Sequence, residues 1–254
     1  MSATDRRGSE RAFHDRQAGQ RAATFAVRPS PLSFSDDAYL DHETWIRPAF
    51  ERLGHLGGLR VLDYGCGHGM AAVVLARRGG RVTAFDLSAG YLDEARRRAR
   101  ANGVTVDFVR TDGERLPFAA ASFDRVWGNA VLHHLHLGIA ARELRRVLRP
   151  GGIAVFCEPW GENPLLTWAR TCLPYPGKER TPDEQPLRGR DLAVLRAVFP
   201  RVGVRGFQLL SMARRVLPPG RLVAGLDRCD ALLLSGVPGL RRFCRYVVLT
   251  LQLA

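Results

Sequence analysis

The sequence predicts a doubly wound α/β fold, a single domain built on seven strands, and three observations carry that prediction. Residues 60–79 read as a strand, a glycine turn and a helix. Val61 and Leu62 form the buried end of the strand, Gly65, Gly67 and Gly69 the turn, and Val73, Val74 and Leu75 the apolar pattern of the helix. Strand and helix patterns then alternate at short spacing as far as residue 159, as parallel strands joined by crossover helices require. Acids also close successive strands at Asp63, Asp86 and Asp112, and the carboxyl ends of the strands are where an open parallel sheet binds ligands.

Each element follows in order. Residues 1–30 are polar and rich in arginine, with Phe13 and Phe25 as the large apolar anchors, and predict a flexible start running into a short amphipathic helix. Ser35-Asp36-Asp37 caps a helix through Tyr39, Leu40, Trp45, Ile46, Phe50 and Leu53 that ends near Gly57-Gly58. Tyr39 and His42 could face a cleft, although packing explains both. After the glycine turn, Arg81–Asp86 is a second strand. Ser88 caps a helix over 89–101, which Asn102-Gly103 ends. Strands follow at 104–109, 123–129 and 153–159, with a helix over 139–148 stopped by Arg149-Pro150-Gly151-Gly152.

Prolines at 159, 164, 174, 176, 182 and 186 then break the rhythm, but Trp160, Leu165, Leu166, Trp168, Leu173 and Tyr175 are interleaved with them. That reads as a lid rather than a linker. A helix over 191–199, a strand over 202–210 and a strand over 246–253 complete the chain. Leu222, Leu226, Cys229 and Leu233 stand at helical spacing behind Pro218-Pro219 and read as core packing. The organisation expected is N-terminal cap helices over 1–57 and a core over 58–254, with lid insertions at about 160–190 and 212–243.

Composition narrows the function classes. An apolar fraction of 46% and a charged fraction of 25% suit a globular enzyme. No apolar run is long enough for a membrane span, and the N-terminus has no apolar signal core, so a cytoplasmic protein is expected. The five cysteines are scattered with no C-x-x-C pair, which argues for reduced thiols rather than disulfides or a zinc site. The net charge of +13 points toward nucleic acid, but Lys178 is the only lysine among the basic residues. A GC-rich coding bias toward arginine, alanine and glycine explains that charge better. Nucleic acid is therefore disfavoured as a partner.

The glycine spacing is G-x-G-x-G, with Met70 where a dinucleotide fold would place its third glycine. Together with Val-Leu-Asp-Tyr-Gly-Cys-Gly-His-Gly (61–69), the chain carries Ala-Phe-Asp-Leu-Ser (84–88) and Thr-Asp-Gly-Glu-Arg-Leu-Pro-Phe (111–118). Ser-Phe-Asp-Arg-Val (122–126), Val-Leu-His-His-Leu (131–135) and Leu-Arg-Pro-Gly-Gly (148–152) follow. In these blocks the chain resembles the class I S-adenosylmethionine (SAM)-dependent methyltransferases, closely over residues 59–159 and loosely beyond. The resemblance implies a Rossmann-like seven-stranded sheet whose last strand is antiparallel, with a helical cap.

It also implies SAM as cofactor, S-adenosylhomocysteine as product, and a set of site residues. Asp63, Gly65, Cys66 and Gly67 would line the methionine side, Asp86 and Leu87 the ribose, Asp112 and Gly113 the adenine edge, and Asn129 a further contact. Chemically, Asp63 can order the glycine loop and offset a cation, and the two oxygens of Asp86 can accept two hydroxyls. No metal is implied: His136 extends His133 and His134 to H-H-x-H, but no cysteine or carboxylate partner stands at helical spacing.

Methyl transfer needs the acceptor held about 3 Å from the methyl carbon, and a hydroxyl acceptor must also lose a proton. His133 and His134 follow the fourth strand, and imidazole is mostly neutral near pH 7. In related O-methyltransferases a histidine of this pair serves as base beside an acid closing strand five, which Glu158 matches. His133 is the preferred base and His134 the architectural member.

The absence of Asn-Pro-Pro-Tyr after strand four disfavours an adenine N-methyltransferase, and the scattered thiols disfavour arsenite methylation. Trp160, Trp168 and Tyr175 suggest a greasy pocket for a small, lipophilic natural-product acceptor, methylated at a hydroxyl oxygen. C- or N-methylation by proximity alone stays open, as does a SAM- or RNA-binding protein without turnover. An NAD(P)-dependent oxidoreductase is disfavoured by the glycine spacing and the missing Tyr-x-x-x-Lys. Because residues 201–254 are both basic and apolar, transient membrane contact also stays open.

Overall fold

The computed structural model describes residues 32–172, 185–218 and 220–253, together with residues 8, 12, 15–17, 19 and 20. Phe13, Phe25, Leu173 and Tyr175, on which parts of the N-terminal and lid expectations rested, lie outside the described residues, as does Lys178. Five strands run parallel: β1 (Arg60–Tyr64), β2 (Arg81–Asp86), β3 (Asp107–Arg110), β4 (Phe123–Asn129) and β5 (Leu148–Pro159). With β6 (Arg201–Phe207) and β7 (Tyr246–Gln252) they make one sheet in the order β3-β2-β1-β4-β5-β7-β6. β7 is antiparallel to both of its neighbours.

Alternation along the strands gives each face its own core. Val61 of β1 points into a cluster with Leu40, Ile46, Phe50 and Trp127. Leu62 and Tyr64 point into the opposite cluster with Val126, Leu144 and Phe156. A parallel strand covered on both faces must be apolar at nearly every position, and four of the five residues of β1 are buried. The covering helices are α1 (Asp36–Leu40), α2 (Ile46–Glu51), α3 (Met70–Arg77), α4 (Ala89–Ala101), α5 (Leu137–Val147), α6 (Pro164–Cys172), α7 (Gly189–Val198) and α8 (Arg221–Gly236). Ser88 caps α4 as its sequence position suggests, its hydroxyl accepting from the Tyr91 N–H at 3.3 Å.

Four local expectations need correction. The single helix expected after Ser35 is two short ones, α1 and α2. The bend between them is held by Arg47, which donates to Asp37 and Asp41, and by Trp45, whose buried ring stacks on Tyr246 at 3.8 Å. The Trp45 stack decides the local geometry over helical periodicity. The third strand starts at Asp107 rather than 104.

Trp160 is not a wall of an acceptor pocket: it is 2% exposed in the sheet core and bridges to Leu187, whereas Trp168 is 58% exposed. Finally, the apolar stripe of α8 does not face the core. Val223 and Asp230 are the buried residues of that helix, Cys229 is exposed, and Leu222 is 66% exposed.

Candidate functional site

β1 and β4 are neighbours from which the chain proceeds in opposite directions across the sheet, and at such a switch point the connecting loops diverge and leave a crevice. A cavity of about 320 Å³ opens there, lined by the ends of β1, β2 and β4, the loops that follow them and the Asp112 loop, with Tyr39 of α1 above.

The loop after β1 is built to let a ligand approach its backbone. Gly65 has φ +71°, and a Cβ there would come 2.6 Å from Cγ2 of Val131. Gly69 opens α3 at φ +83°, and a Cβ there would meet the Ala95 Cβ of α4 at 2.6 Å. The loop is tied down at three points. The Cys66 N–H donates to the Phe85 carbonyl at 2.8 Å, Arg98 of α4 donates to the His68 carbonyl at 2.9 Å, and the Gly67 N–H donates to Oδ2 of Asp86 at 2.8 Å. Asp86, rather than Asp63 as the sequence suggested, therefore orders this loop. Its Oδ1 accepts the Ser88 N–H at 2.9 Å, so one carboxylate joins the glycine loop to the start of α4.

Asp63 does something else. Its side chain is buried at the cavity wall, Oδ2 has no hydrogen-bond partner, and burial, reinforced by the nearby Asp86 charge, pushes its carboxyl up to about 8. A backbone hydrogen bond from Ala72 opposes that shift in part. Burial likewise pushes the Cys66 thiol up, and the Tyr39 phenol with it.

Asn129 lines the same cavity, with Oδ1 buried and without a partner. Asp112 turns its loop by accepting the Glu114 N–H at 2.9 Å, and Tyr64 donates to the Gly113 carbonyl at 2.6 Å. All nine residues proposed from the sequence as cofactor contacts (Asp63, Gly65, Cys66, Gly67, Asp86, Leu87, Asp112, Gly113 and Asn129) line this one cavity. Buried polar atoms left over and a backbone approachable at glycine are what a ligand with donor groups, one end cationic, requires; SAM meets that description.

The histidines are placed otherwise than expected. His134 lines the cavity and His133 does not. The His133 side chain is 3% exposed, with Nδ1 2.7 Å from Oε2 of the fully buried Glu158. Oε1 of Glu158 accepts the N–H groups of Val131, at 3.0 Å, and Leu132, at 2.8 Å. The His133 and His134 rings pack with centroids 4.0 Å apart. His133 is thus held behind His134 rather than presented to the cavity, because the Leu132–His134 turn is pinned from below by Glu158. His136 sits exposed at the start of α5, its N–H donating to Glu114 at 2.7 Å.

Sequence reasoning missed several walls: Glu114, which lies inside a motif already noted, and the apolar Met70, Phe85, Trp127, Val131 and Leu135. It also missed Tyr91 and its bond to Gln17, and the bond from the Ser88 hydroxyl to Asp15, which brings the N-terminal segment to this edge. Nothing in a single sequence pairs residues more than 70 positions apart.

Residues 62–156 match the model of a methyltransferase domain. The chain is 44% identical over 100 residues to a ubiquinone biosynthesis O-methyltransferase of Methylocella silvestris, covering 39% of each chain. It is 33% identical over 186 residues to a fatty-acid O-methyltransferase of Mycolicibacterium smegmatis, covering 68% of this chain and 65% of that one. Among solved structures, the [4+2]-cyclase SpnF superposes with a TM-score of 0.57 at 25% identity, over 82% of this chain and 79% of that one. The chain spans about two fifths of the length of the first of these relatives and under two thirds of the second. With the motif blocks in order, the seven-stranded sheet and the cavity at its switch point, residues 62–156 are a methyltransferase domain of the class I SAM-dependent kind.

Proposed function

We propose that this protein uses SAM to methylate a small lipophilic acceptor at a hydroxyl oxygen, with His134 taking the proton. The observation that carries the reading is the juxtaposition of His134 with Asp63, Asp86, Asp112 and Asn129 around one cavity. Bound SAM would supply an electrophilic methyl group on a sulfonium sulfur.

The residues of the chain do the rest. Asp86 and Asp112 fix the loops against which a nucleoside would lie, and Asp63, whose carboxyl burial raises to about 8, would ionise to offset cationic charge at the buried end. Tyr39, Trp127, Val131 and Leu135 keep water from the acceptor side. His134 and His68 both line the cavity, and His134, on the turn after β4, is the imidazole assigned to the acceptor. Behind it, Glu158 pairs with His133 Nδ1 and holds the whole turn. The relatives named for fatty-acid and ubiquinone-pathway acceptors support the lipophilic class. A carboxylate acceptor would need no base, whereas a phenol or alcohol would.

The test is transfer of a tritiated methyl group from SAM to extractable product, with oleate and a long-chain catechol as acceptors and His134→Ala beside the parent. Label on the catechol, lost in the variant, supports the reading. Label on oleate alone, equal in both proteins, removes His134 from the chemistry. The likeness to SpnF favours a second reading, in which the cavity is kept for a reaction without methyl transfer. SAM binding without labelled product from either acceptor, or from an extract of the source organism, favours that alternative.

A further inference from the structure

α8 is turned the opposite way from what its sequence suggests, and its outer face has a definite chemistry. Leu222, Leu226, Cys229 and Leu233 recur at the spacing of one helical stripe; Leu222 is 66% exposed, Cys229 and Leu233 are also exposed, and Leu226 is partly so. The neighbouring Leu232 widens the stripe, and Val216 and Val237, which flank the helix in sequence, are exposed as well.

The inward face carries Val223 and two acids. Asp230 accepts the N–H groups of Leu209, Leu210 and Ser211 and the Ser211 hydroxyl, and Asp227 pairs with Arg214. These are the only two acids of residues 201–254, against nine arginines, and both are used to seat the helix. Arg221 and Arg228 are exposed on the helix, Arg215 and Arg242 on the turns at its two ends, and none of them pairs with a carboxylate among the described residues.

We propose that this face of α8 docks on an anionic lipid surface. A helix that carries an exposed apolar stripe with arginines outside it, and whose acids are engaged elsewhere, has the features of an interfacial helix: the leucines enter the acyl boundary while the guanidinium groups meet phosphate headgroups. The charge selects this occupant over others. A second copy of the chain would bring arginines against arginines, and a nucleic acid would leave the leucines in water. No helix among the described residues is long and apolar enough to cross a membrane, so the contact is peripheral. The inference goes beyond the methyl-transfer reading and does not depend on it.

The experiment uses the full chain with Cys172→Ser, so that Cys229 is the exposed described thiol, labelled there with an environment-sensitive fluorophore. Phosphatidylcholine vesicles with and without phosphatidylglycerol are added, and co-sedimentation is measured in parallel. The expected result is a blue shift and sedimentation with the anionic vesicles, weakened at least about tenfold by raising salt from 50 to 300 mM. Leu222→Glu with Leu233→Glu, both at exposed positions, should abolish both signals while SAM binding by calorimetry is retained. Absence of binding to anionic vesicles, equal binding to neutral ones, or equal binding by the double variant would overturn the proposal. A dimer of the lipid-free protein that the double variant disperses would also overturn it, and would assign the stripe to self-association.

Discussion

Nδ1 of His133 stands 2.7 Å from Oε2 of Glu158, and the other oxygen of that carboxylate accepts the N–H groups of Val131 and Leu132. One buried side chain therefore fixes both a histidine and the backbone turn that carries the next histidine to the cavity. The arrangement reverses the division expected from the sequence: His134 lines the cavity and His133 does not, which under the proposed reading makes His133 a positioning residue.

That division predicts different kinetic signatures. His134→Ala should lower kcat for a hydroxyl acceptor by about 10²- to 10⁴-fold, the usual worth of a general base. It should also remove the acidic limb of the pH–rate profile. His133→Asn should lower kcat less and leave that limb in place. A profile lost in His133→Asn and kept in His134→Ala would reverse the assignment.

Glu158→Ala should be costly to the fold itself, because three donors in the interior lose one acceptor. A loss of about 3 kcal/mol or more is expected from denaturant unfolding, at about 1–3 kcal/mol for each unsatisfied buried donor. Glu158→Gln keeps one carbonyl oxygen and should fall between. A stable Glu158→Ala with normal kcat would show that the turn does not need this anchor.

Asp63 gives a pH prediction whose sign follows from burial. Its carboxyl is raised to about 8, so the folded chain holds a proton that the unfolded chain releases near pH 4. Its contribution to stability is full below that point and is lost as pH rises through about 8. Without cofactor, the Tm of the parent should fall over that window more than the Tm of Asp63→Asn. Cation binding favours the ionised carboxyl, so SAM titrated at pH 7 in buffers of different ionisation enthalpy should release a proton. Zero release would remove Asp63 from the cationic end.

The glycine loop offers a stability test. Gly65→Ala places a Cβ 2.6 Å from Val131 at φ +71°, which should cost about 1–3 kcal/mol and weaken SAM binding in parallel. Gly103→Ala, at φ +65° but with open space around it, controls for backbone strain alone.

Much of this site was legible because its residues follow the period of the sheet. Asp86 and Asn129 close their strands and Asp63 stands one residue before the end of β1, so reading the strand ends places them on one edge without knowing any contact. The His133–His134 order was not legible. Both follow β4, and which ring faces the cavity depends on the Glu158 hydrogen bonds, which span 25 to 27 positions. The α8 stripe misled for a related reason. Apolar periodicity identifies a face but not its direction, and here the inward direction is set by Asp230 and its four donors. Trp160 and Trp168 look equivalent in the proline-rich segment, yet only Trp160 lies beside a strand end that can bury it.

Under the proposed reading, the cavity at the β1–β4 switch point holds SAM through Asp86, the carboxylate that also orders the glycine loop. Calorimetric titration of SAM into the parent and into Asp86→Ala tests it most directly. Saturable one-to-one binding to the parent is expected, with at least about tenfold weaker binding to the variant, since hydrogen bonds to a charged group contribute about 1.5–3 kcal/mol. Equal affinity in the two proteins, or no binding to the parent, would contradict it.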